Sequence, residues 1–253
     1  EAGLGVGPST DAQMTDDPEW KKAICKDWSS ICNSGTFTIE EHCFERGRPI
    51  THTIANKIKV DSDGKNLHKC RICLRGFLQK DRGVSNYAGV ASTAAINSLL
   101  AIACKERLHI EMCDVTTAFL AAPLEELEKV SVKIPKDYLE WCDAVGHKIS
   151  DENRRRIKAG DKSLVLVTQT AWYGLRSCPK AFSRLLQKEF AAVGLLPLET
   201  DPCIYQCGSK TDGTYVAIAT VVDDLLVISS NASAADAVLT KLNLKLKRLA
   251  WAD

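Results

Sequence analysis

Thr220-Val221-Val222-Asp223-Asp224-Leu225-Leu226-Val227-Ile228 is the stretch on which the reading of this 253-residue chain turns. Two adjacent carboxylates stand between two apolar runs of strand character. Such runs are buried strands, whereas an aspartate pair is costly to bury unless it is solvated or neutralised. A tight turn meets both demands by placing the acids at the lip of a sheet, where their mutual repulsion favours a divalent cation. Taken alone, the pattern is more simply an ordinary solvated hairpin turn, because Asp is common in turns.

A second acid shifts that balance. Asp114 closes the apolar strand Ile110-Glu111-Met112-Cys113 and opens Val115-Thr116-Thr117-Ala118-Phe119-Leu120. If the two elements are neighbours in one sheet, three carboxylates converge on one edge. That is the requirement for two divalent ions about 4 Å apart that clamp the attacking and leaving oxygens of phosphoryl transfer. Hard cations take oxygen ligands, and the stretch offers carboxylates with no histidine cluster.

Further out, residues 1–16 lack periodicity and read as a flexible tail. Asp17 and Pro18 open a helix with Trp20, Ile24, Trp28 and Ile31 on one stripe. Thr36–Glu40 is a short strand, and Thr51–Val60 with His68–Leu74 makes a hairpin around Asp61-Ser62-Asp63-Gly64. Ala91–Arg107 reads as a buried helix and Leu108–Cys113 as a strand. Val130–Ile134 alternates like a strand, and 143–162 is an irregular surface insertion. Leu164–Thr168 is a strand, and Phe182, Leu185, Leu186 and Phe190 mark a helix stopped at Gly194. Strands follow at Ile204–Gln206, Tyr215–Val222 and Leu225–Ser229, with a last helix over Ala234–Leu246. The expected fold is α+β, an antiparallel sheet with helices packed on one face.

Composition narrows the function little. Hydrophobic residues are 45% and charged residues 26%, which excludes wholesale disorder, and the net charge of +1 points to no class of partner. Charge is concentrated locally: Lys57 to Arg82 holds eight basic residues against three acidic ones, and Lys241, Lys245, Lys247 and Arg248 form a run with no acid among them. Such surfaces hold phosphates without reading sequence. The eleven scattered cysteines read as a reducing, intracellular compartment, with Cys104 and Cys113 acting as small hydrophobes. Cys70 and Cys73 have the spacing of half a zinc knuckle but no second pair, and read as packing. No apolar run is long enough for a membrane helix, and the start lacks a signal-peptide pattern. Without an initiating Met, the chain reads as a fragment of a larger protein.

From Trp20 to Leu249 the chain resembles the reverse transcriptases of copia-type long-terminal-repeat retrotransposons. The motifs occur in that family's order. Trp20-Lys21-Lys22-Ala23 resembles its opening Trp-x-x-Ala helix, and Lys69-Cys70-Arg71-Ile72-Cys73-Leu74-Arg75-Gly76-Phe77 its Lys-Ala-Arg-Leu-Val-Ala-Lys-Gly-Phe strand. Asp114-Val115-Thr116-Thr117-Ala118-Phe119-Leu120 is similar to Asp-Val-Lys-Thr-Ala-Phe-Leu. Trp172-Tyr173-Gly174-Leu175-Arg176-Ser177-Cys178-Pro179-Lys180-Ala181-Phe182 resembles Leu-Tyr-Gly-Leu-Lys-Gln-Ala-Pro-Arg-Ala-Trp. Asp201-Pro202-Cys203-Ile204-Tyr205 and the Val-Asp-Asp block complete the set.

The resemblance implies a polymerase domain over 17–250, with fingers at about 36–90, a palm at about 91–231, and 232–253 as the start of a truncated connection to a largely absent thumb. It implies an RNA-dependent DNA polymerase in which Asp114, Asp223 and Asp224 are catalytic and hold two Mg²⁺ or Mn²⁺ ions, helped by the Val115 carbonyl. Lys57, Lys69 and Arg71 would face the triphosphate, Ser177 would stand at the nucleotide, and Phe119 would lie under its sugar, excluding a 2′-hydroxyl by its bulk. The implied partners are an RNA or DNA template with a DNA primer, deoxynucleoside triphosphates, and the thumb and ribonuclease H domain of the same polyprotein, with no membrane. The implied location is the cytoplasm, particle-associated in the parent element, or the nucleus.

Some positions depart from the family pattern. Val221 replaces a Tyr, Ser177 a Gln and Ile54 a Trp; Asp27 stands for the family's acidic helix residue, and Lys247-Arg248-Leu249-Ala250 for Lys-Asp-Leu-Gly. Two other readings stay open at this point: a catalytically inactive relic that keeps the fold and its nucleic-acid binding, and an unrelated two-metal nuclease or nucleotidyltransferase.

Overall fold

The computed structural model of the chain describes residues 17–60, 63–83 and 85–249. The expected tail at 1–16, the Asp61-Ser62 part of the hairpin turn and residues 250–253 lie outside the described residues. Two compact units are each discontinuous in sequence: Glu1–Ser85 with Pro123–Cys178, and Asn86–Ala122 with Pro179–Asp253.

The first unit opens with α1 (Pro18–Asn33). The Asp17 side chain caps it by accepting the Glu19 N–H at 2.8 Å, and Pro18 sits where no N–H is needed. Trp20, Ile24, Trp28 and Ile31 are all buried, as the stripe requires. The chain continues through β1 (Phe37–Glu41), β2 (His52–Val60), β3 (Asn66–Leu74), β5 (Ser131–Val132) and β6 (Leu164–Thr168). Strands β1, β6 and β5 form an antiparallel sheet in that order, and β2–β3 is a separate antiparallel hairpin. Trp28, Phe37, Tyr138, Trp141 and Trp172 pack ring against ring, with centroids 5.4–6.1 Å apart.

The outer edge of β3 is closed by side chains. Ile72 donates its N–H to the Asp27 carboxylate at 2.7 Å, and its carbonyl accepts the Trp172 indole N–H at 2.8 Å. One residue pair further, Leu74 donates to the Tyr173 carbonyl at 2.7 Å. Gly174, at φ +90°, then passes so close to β3 that a Cβ there would lie 2.1 Å from the Leu74 carbonyl oxygen. Three residues of the Trp-Tyr-Gly motif therefore finish an edge strand that would otherwise present unpaired backbone.

Two expectations fail here. Residues 143–162 are not irregular: Asp151–Lys158 is a helix (α4; α3 is Tyr138–Ala144), capped by Ser150, with acids in its first turn and bases in its last. Arg154 bonds Asp143 through both guanidinium nitrogens, and Arg156 reaches Asp161 and Glu41. A helix held by its ends and by ion pairs carries little apolar periodicity, so the pattern was silent. Nor is 91–231 a single piece, because β6 pairs with β1 and carries residues 123–178 into the first unit.

The second unit is built on six antiparallel strands in the order β11-β4-β10-β9-β8-β7. They are β4 (His109–Val115), β7 (Leu196–Pro197), β8 (Ile204–Cys207), β9 (Val216–Val221), β10 (Asp224–Ser229) and β11 (Leu246–Leu249). Helices α2 (Thr93–Glu106), α5 (Cys178–Ala192) and α6 (Ala232–Leu239) accompany them. Leu99 and Ala103 of α2 pack with Ile204, Ala217, Ala219, Leu226 and Ile228. Tyr205 points to the opposite face from Ile204, and its ring meets Phe190 of α5 at 4.8 Å. Helices thus cover both faces, not one, because the inner strands β9 and β10 are apolar at nearly every position and need cover on each side. Asp201 ties this layer together by accepting the backbone N–H groups of Ser92, the N-cap of α2, and of Cys203.

The remaining departures are local. Helix α2 buries only Leu99 and Ala103, so it is a surface helix, and Cys104 is exposed. The last helix stops at Leu239, and the chain returns as β11 along β4. Among the described residues no helix is long and apolar enough to cross a membrane.

Asp27 gives this architecture a pH signature. Burial pushes its carboxyl up to about 6, against the Ile72 N–H and the nearby Arg71, which favour the charged form. The native state then binds more protons than the unfolded chain between pH 3.8 and about 6, so this contribution to stability is lost as pH rises through that window. Urea unfolding of the wild type and Asp27→Asn across a pH series is expected to show it: the wild type loses stability relative to the variant from pH 4 to about pH 6 and levels off above.

Candidate active site

The β4–β10 register brings the acids together. Asp224 is the direct cross-strand partner of Asp114, in a ladder that runs to Ser229 opposite His109. Directly paired residues of antiparallel strands present their side chains on the same face, so both carboxylates stand on one side of the sheet. Asp224 is also paired with Val221 across the β9–β10 hairpin, and Asp223 lies in the turn, its carbonyl accepting the Val115 N–H at 3.0 Å. That bond locks the acid turn to the end of β4.

The hairpin loop is two residues, Val222 and Asp223, and only Val222 has positive φ, at +58°. This is the pattern of a type II′ turn, whose first central position favours Gly. A β-branched side chain there stores about 1–3 kcal/mol of strain. Thr117, in the loop after Asp114, has φ +56°. Strained backbone thus precedes the acid pair and follows Asp114.

Electrostatics agrees with the register. The Asp224 carboxyl is raised above the ordinary carboxylate range by partial burial, then by Asp223 and by Asp114. Three like-charged oxygen donors near one sheet edge suit a hard divalent cation in kind. Among the described residues no group of three His, Cys, Asp or Glu is already drawn close enough to hold a metal ion.

Other predicted residues fall into place unevenly. Val115 is buried, and its carbonyl already accepts the Ala118 N–H at 3.2 Å. Phe119, half-buried, starts a 3-10 turn (Phe119–Ala121) and sets its ring edge-on to Phe182 at 6.0 Å. In the first unit, Lys57 pairs directly with Lys69, and Arg71 with Ala55. Lys57, Lys59, Lys69 and Arg71 are all exposed on the hairpin, while Ile54, Ile58 and Ile72 take the alternate face. Lysines placed directly opposite each other repel, and an anion relieves that repulsion. The Arg71 guanidinium carbon sits 4.5 Å above the Tyr173 ring centroid, which orients it. Ser177 is different: it is 3% exposed, and its hydroxyl is buried without a hydrogen-bond partner. A side chain in that position is not on the surface to meet a nucleotide.

One residue was missed. Lys247 of β11 is the direct partner of Asp114 on the side away from Asp224, so the central acid stands between a carboxylate and an ammonium. The signal was present as a basic run, but reading a helix through Leu246 concealed the strand that delivers it. The run is not wholly unopposed either: Arg248 pairs with Asp236 and, at 3.6 Å, with Glu111.

Comparison with known proteins meets this geometry. A family model described as reverse transcriptase (RNA-dependent DNA polymerase) matches residues 36–253. The chain is 26% identical over 215 residues to the retrovirus-related Pol polyprotein from transposon TNT 1-94 of Nicotiana tabacum, a match covering 83% of this chain and 14% of that protein. The chain thus spans only a small part of the relative's length.

The acid cluster predicts a coupled titration. Asp114→Asn removes one of the like charges that raise Asp224, so the Asp224 carboxyl is expected to titrate at lower pH in the variant than in the wild type. Carboxyl-carbon NMR during a pH titration checks this, and an unchanged Asp224 midpoint would contradict the shared site.

Proposed function

The chain belongs to the reverse transcriptase (RNA-dependent DNA polymerase) family, and from that premise we propose that it is the polymerising part of a copia-type retrotransposon polyprotein. It extends a DNA primer on an RNA or DNA template from deoxynucleoside triphosphates. The observation that supports this most is the register that sets Asp224 against Asp114 and holds Asp223 in the turn beside them.

Asp114 and Asp223, with Asp224 alongside, would hold two Mg²⁺ or Mn²⁺ ions. When bound, such ions supply Lewis acidity at the α-phosphate and ease loss of the proton from the primer 3′-hydroxyl. The chain's own groups bind and orient. Lys57, Lys69 and Arg71 offer cations to phosphate oxygens, Arg71 with a guanidinium fork steadied by Tyr173. Phe119 presents a ring that a 2′-hydroxyl would meet, so selection of the sugar is by exclusion. Lys247, the cross-strand partner of Asp114, brings a cation to the strand beside that acid. The primer 3′-oxygen bonds to the α-phosphorus as pyrophosphate leaves. A thumb and a ribonuclease H domain of the same polyprotein complete the enzyme.

A second reading has an observation in its favour. Ser177, where the resembling family has a Gln, is buried with its hydroxyl unpaired, so one nucleotide contact is lacking. An inactive relic that keeps the fold and its nucleic-acid binding accounts for that feature.

Primer extension separates the two. The folded protein, given primed RNA and Mg²⁺ or Mn²⁺, is expected to add nucleotides, and Asp223→Asn to lower the rate by about 10²–10³-fold or more, as loss of electrostatic stabilisation does. If neither protein incorporates nucleotides, even with Ser177→Gln and Val221→Tyr introduced and the downstream domain added, while primer-template still binds, the relic reading holds.

A further inference from the structure

Strand β11 is the edge of the six-stranded sheet, four residues long and paired to β4 on one side. None of its residues is buried: Leu246 and Leu249 are half-buried, Lys247 and Arg248 exposed. Apolar burial is what normally pins a strand's register, and this strand has little of it. Its two central residues are both bases. A one-residue slip would exchange them, setting Arg248 beside Asp114 and turning Lys247 to the other face. Something besides burial decides which base meets the acids.

The opposite face of the sheet supplies it. Arg248 pairs directly with Cys113, and Glu111 lies two residues along β4 on the same side. Glu111 is 8% exposed, and its Oε1 is buried with no hydrogen-bond partner. A carboxylate so placed is costly without a cation. Arg248 Nη1 stands 3.6 Å from its other oxygen, Oε2, while Arg248 Nη2 bonds the Asp236 carboxylate of α6. Helix α6 in turn packs on β10. One guanidinium thus ties the edge strand to a buried acid of its neighbour and to a helix packed on the sheet. A lysine is one point charge, whereas the guanidinium offers separate nitrogens to two acids. The resembling family carries an Asp at this position of its Lys-Asp-Leu-Gly segment, which Glu111 would repel, so the clamp belongs to this chain's own sequence.

We propose that Arg248 is a positioning residue for the acid site: by linking Glu111 of β4 to Asp236 of α6 it sets the register of β11 and holds Lys247 across from Asp114. Its functional part rests on the reading of Asp114, Asp223 and Asp224 as the metal-holding acids. An ammonium held on that face repels a bare divalent ion and attracts the phosphate oxygens of a nucleotide that carries one. The clamp thereby biases the acids toward a metal–nucleotide pair over the free metal.

Two measurements on the 253-residue protein test this, and neither needs polymerisation. Amide exchange reads the clamp through two bonds: Thr116 donates its N–H to the Lys245 carbonyl at 2.8 Å, and Val115 donates to Asp223 in the acid turn. Arg248→Ala is expected to speed Thr116 exchange by about tenfold while Val115 keeps its wild-type rate, the mark of local opening. Lys247→Gln leaves the clamp in place and is expected to change neither. Mn²⁺ binding without nucleotide, followed by electron paramagnetic resonance, reads the charge. Lys247→Gln is expected to tighten it about threefold by removing the repulsion, and Arg248→Ala to tighten it by the same factor. The two together are expected to tighten it no further, since Arg248 acts through Lys247, whereas a merely structural loss would weaken binding in either background. Wild-type Thr116 exchange in folded Arg248→Ala would overturn the proposal. So would an Arg248→Ala effect on Mn²⁺ that persists in full beside Lys247→Gln. Should Arg248→Ala not fold, Asp236→Asn, at an exposed acid, carries both measurements with the same expected signs. A wild-type protein that binds no Mn²⁺ would overturn the metal reading and the charge effect with it, while Thr116 exchange still decides the clamp.

Discussion

Antiparallel pairing of β4 with β10 in one register, from His109 opposite Ser229 to Asp114 opposite Asp224, is the constraint on which the second unit rests. Strand side chains alternate with a period of two, so a one-residue slip would send Asp224 to the far face and bring Leu225 round in its place. Leu225 and Val227 are fully buried, and that burial opposes a slip. The hydrophobic pattern of the strands and the position of the acids are therefore one specification. The strained Val222 turn is tolerated because β9 and β10 are committed on both sides of it.

In the first unit a comparable role falls to the open edge of β3. The hairpin has only two strands, and a lone hairpin is marginal in water. Asp27, Trp172 and Tyr173 supply the bonds that a third strand would have made, while Ile54 and Ile72 turn toward α1. With its inner face and edge fixed, the hairpin exposes Lys57, Lys69 and Arg71 on its other face. Holding cations on a strand facing solvent, with lysines directly opposed, is unfavourable for folding and useful for binding phosphate.

Several motif residues that look functional in the sequence prove to be structural. Gly174 is dictated by its close approach to Leu74, Trp172 by a backbone carbonyl, and Asp201 by two backbone N–H groups. Asp114, Asp223 and Asp224 have no such explanation. They are partly or fully exposed and give the fold no apolar burial, and Asp223 and Asp114 help to raise the Asp224 carboxyl. That contrast separates the residues that build the domain from those proposed to act.

The sequence by itself determined the local elements and the family. Trp20, Ile24, Trp28 and Ile31 could only stripe a helix, the apolar runs around Asp223-Asp224 could only be strands, and ordered motifs carried the resemblance. It also placed the acid pair at a turn, because burial of two charges between strands has no other cheap solution. What it left undecided were partners distant along the chain. That β6 joins β1, that β11 lies against β4 and brings Lys247 to Asp114, and that helices cover both faces are consequences of packing between segments tens to more than a hundred residues apart. Periodicity reports which face of an element seeks burial, but not what buries it, and short elements held by ion pairs or edge bonds leave no periodicity to read. Only the tertiary structure decides those contacts, because their energy is shared between segments and belongs to neither alone.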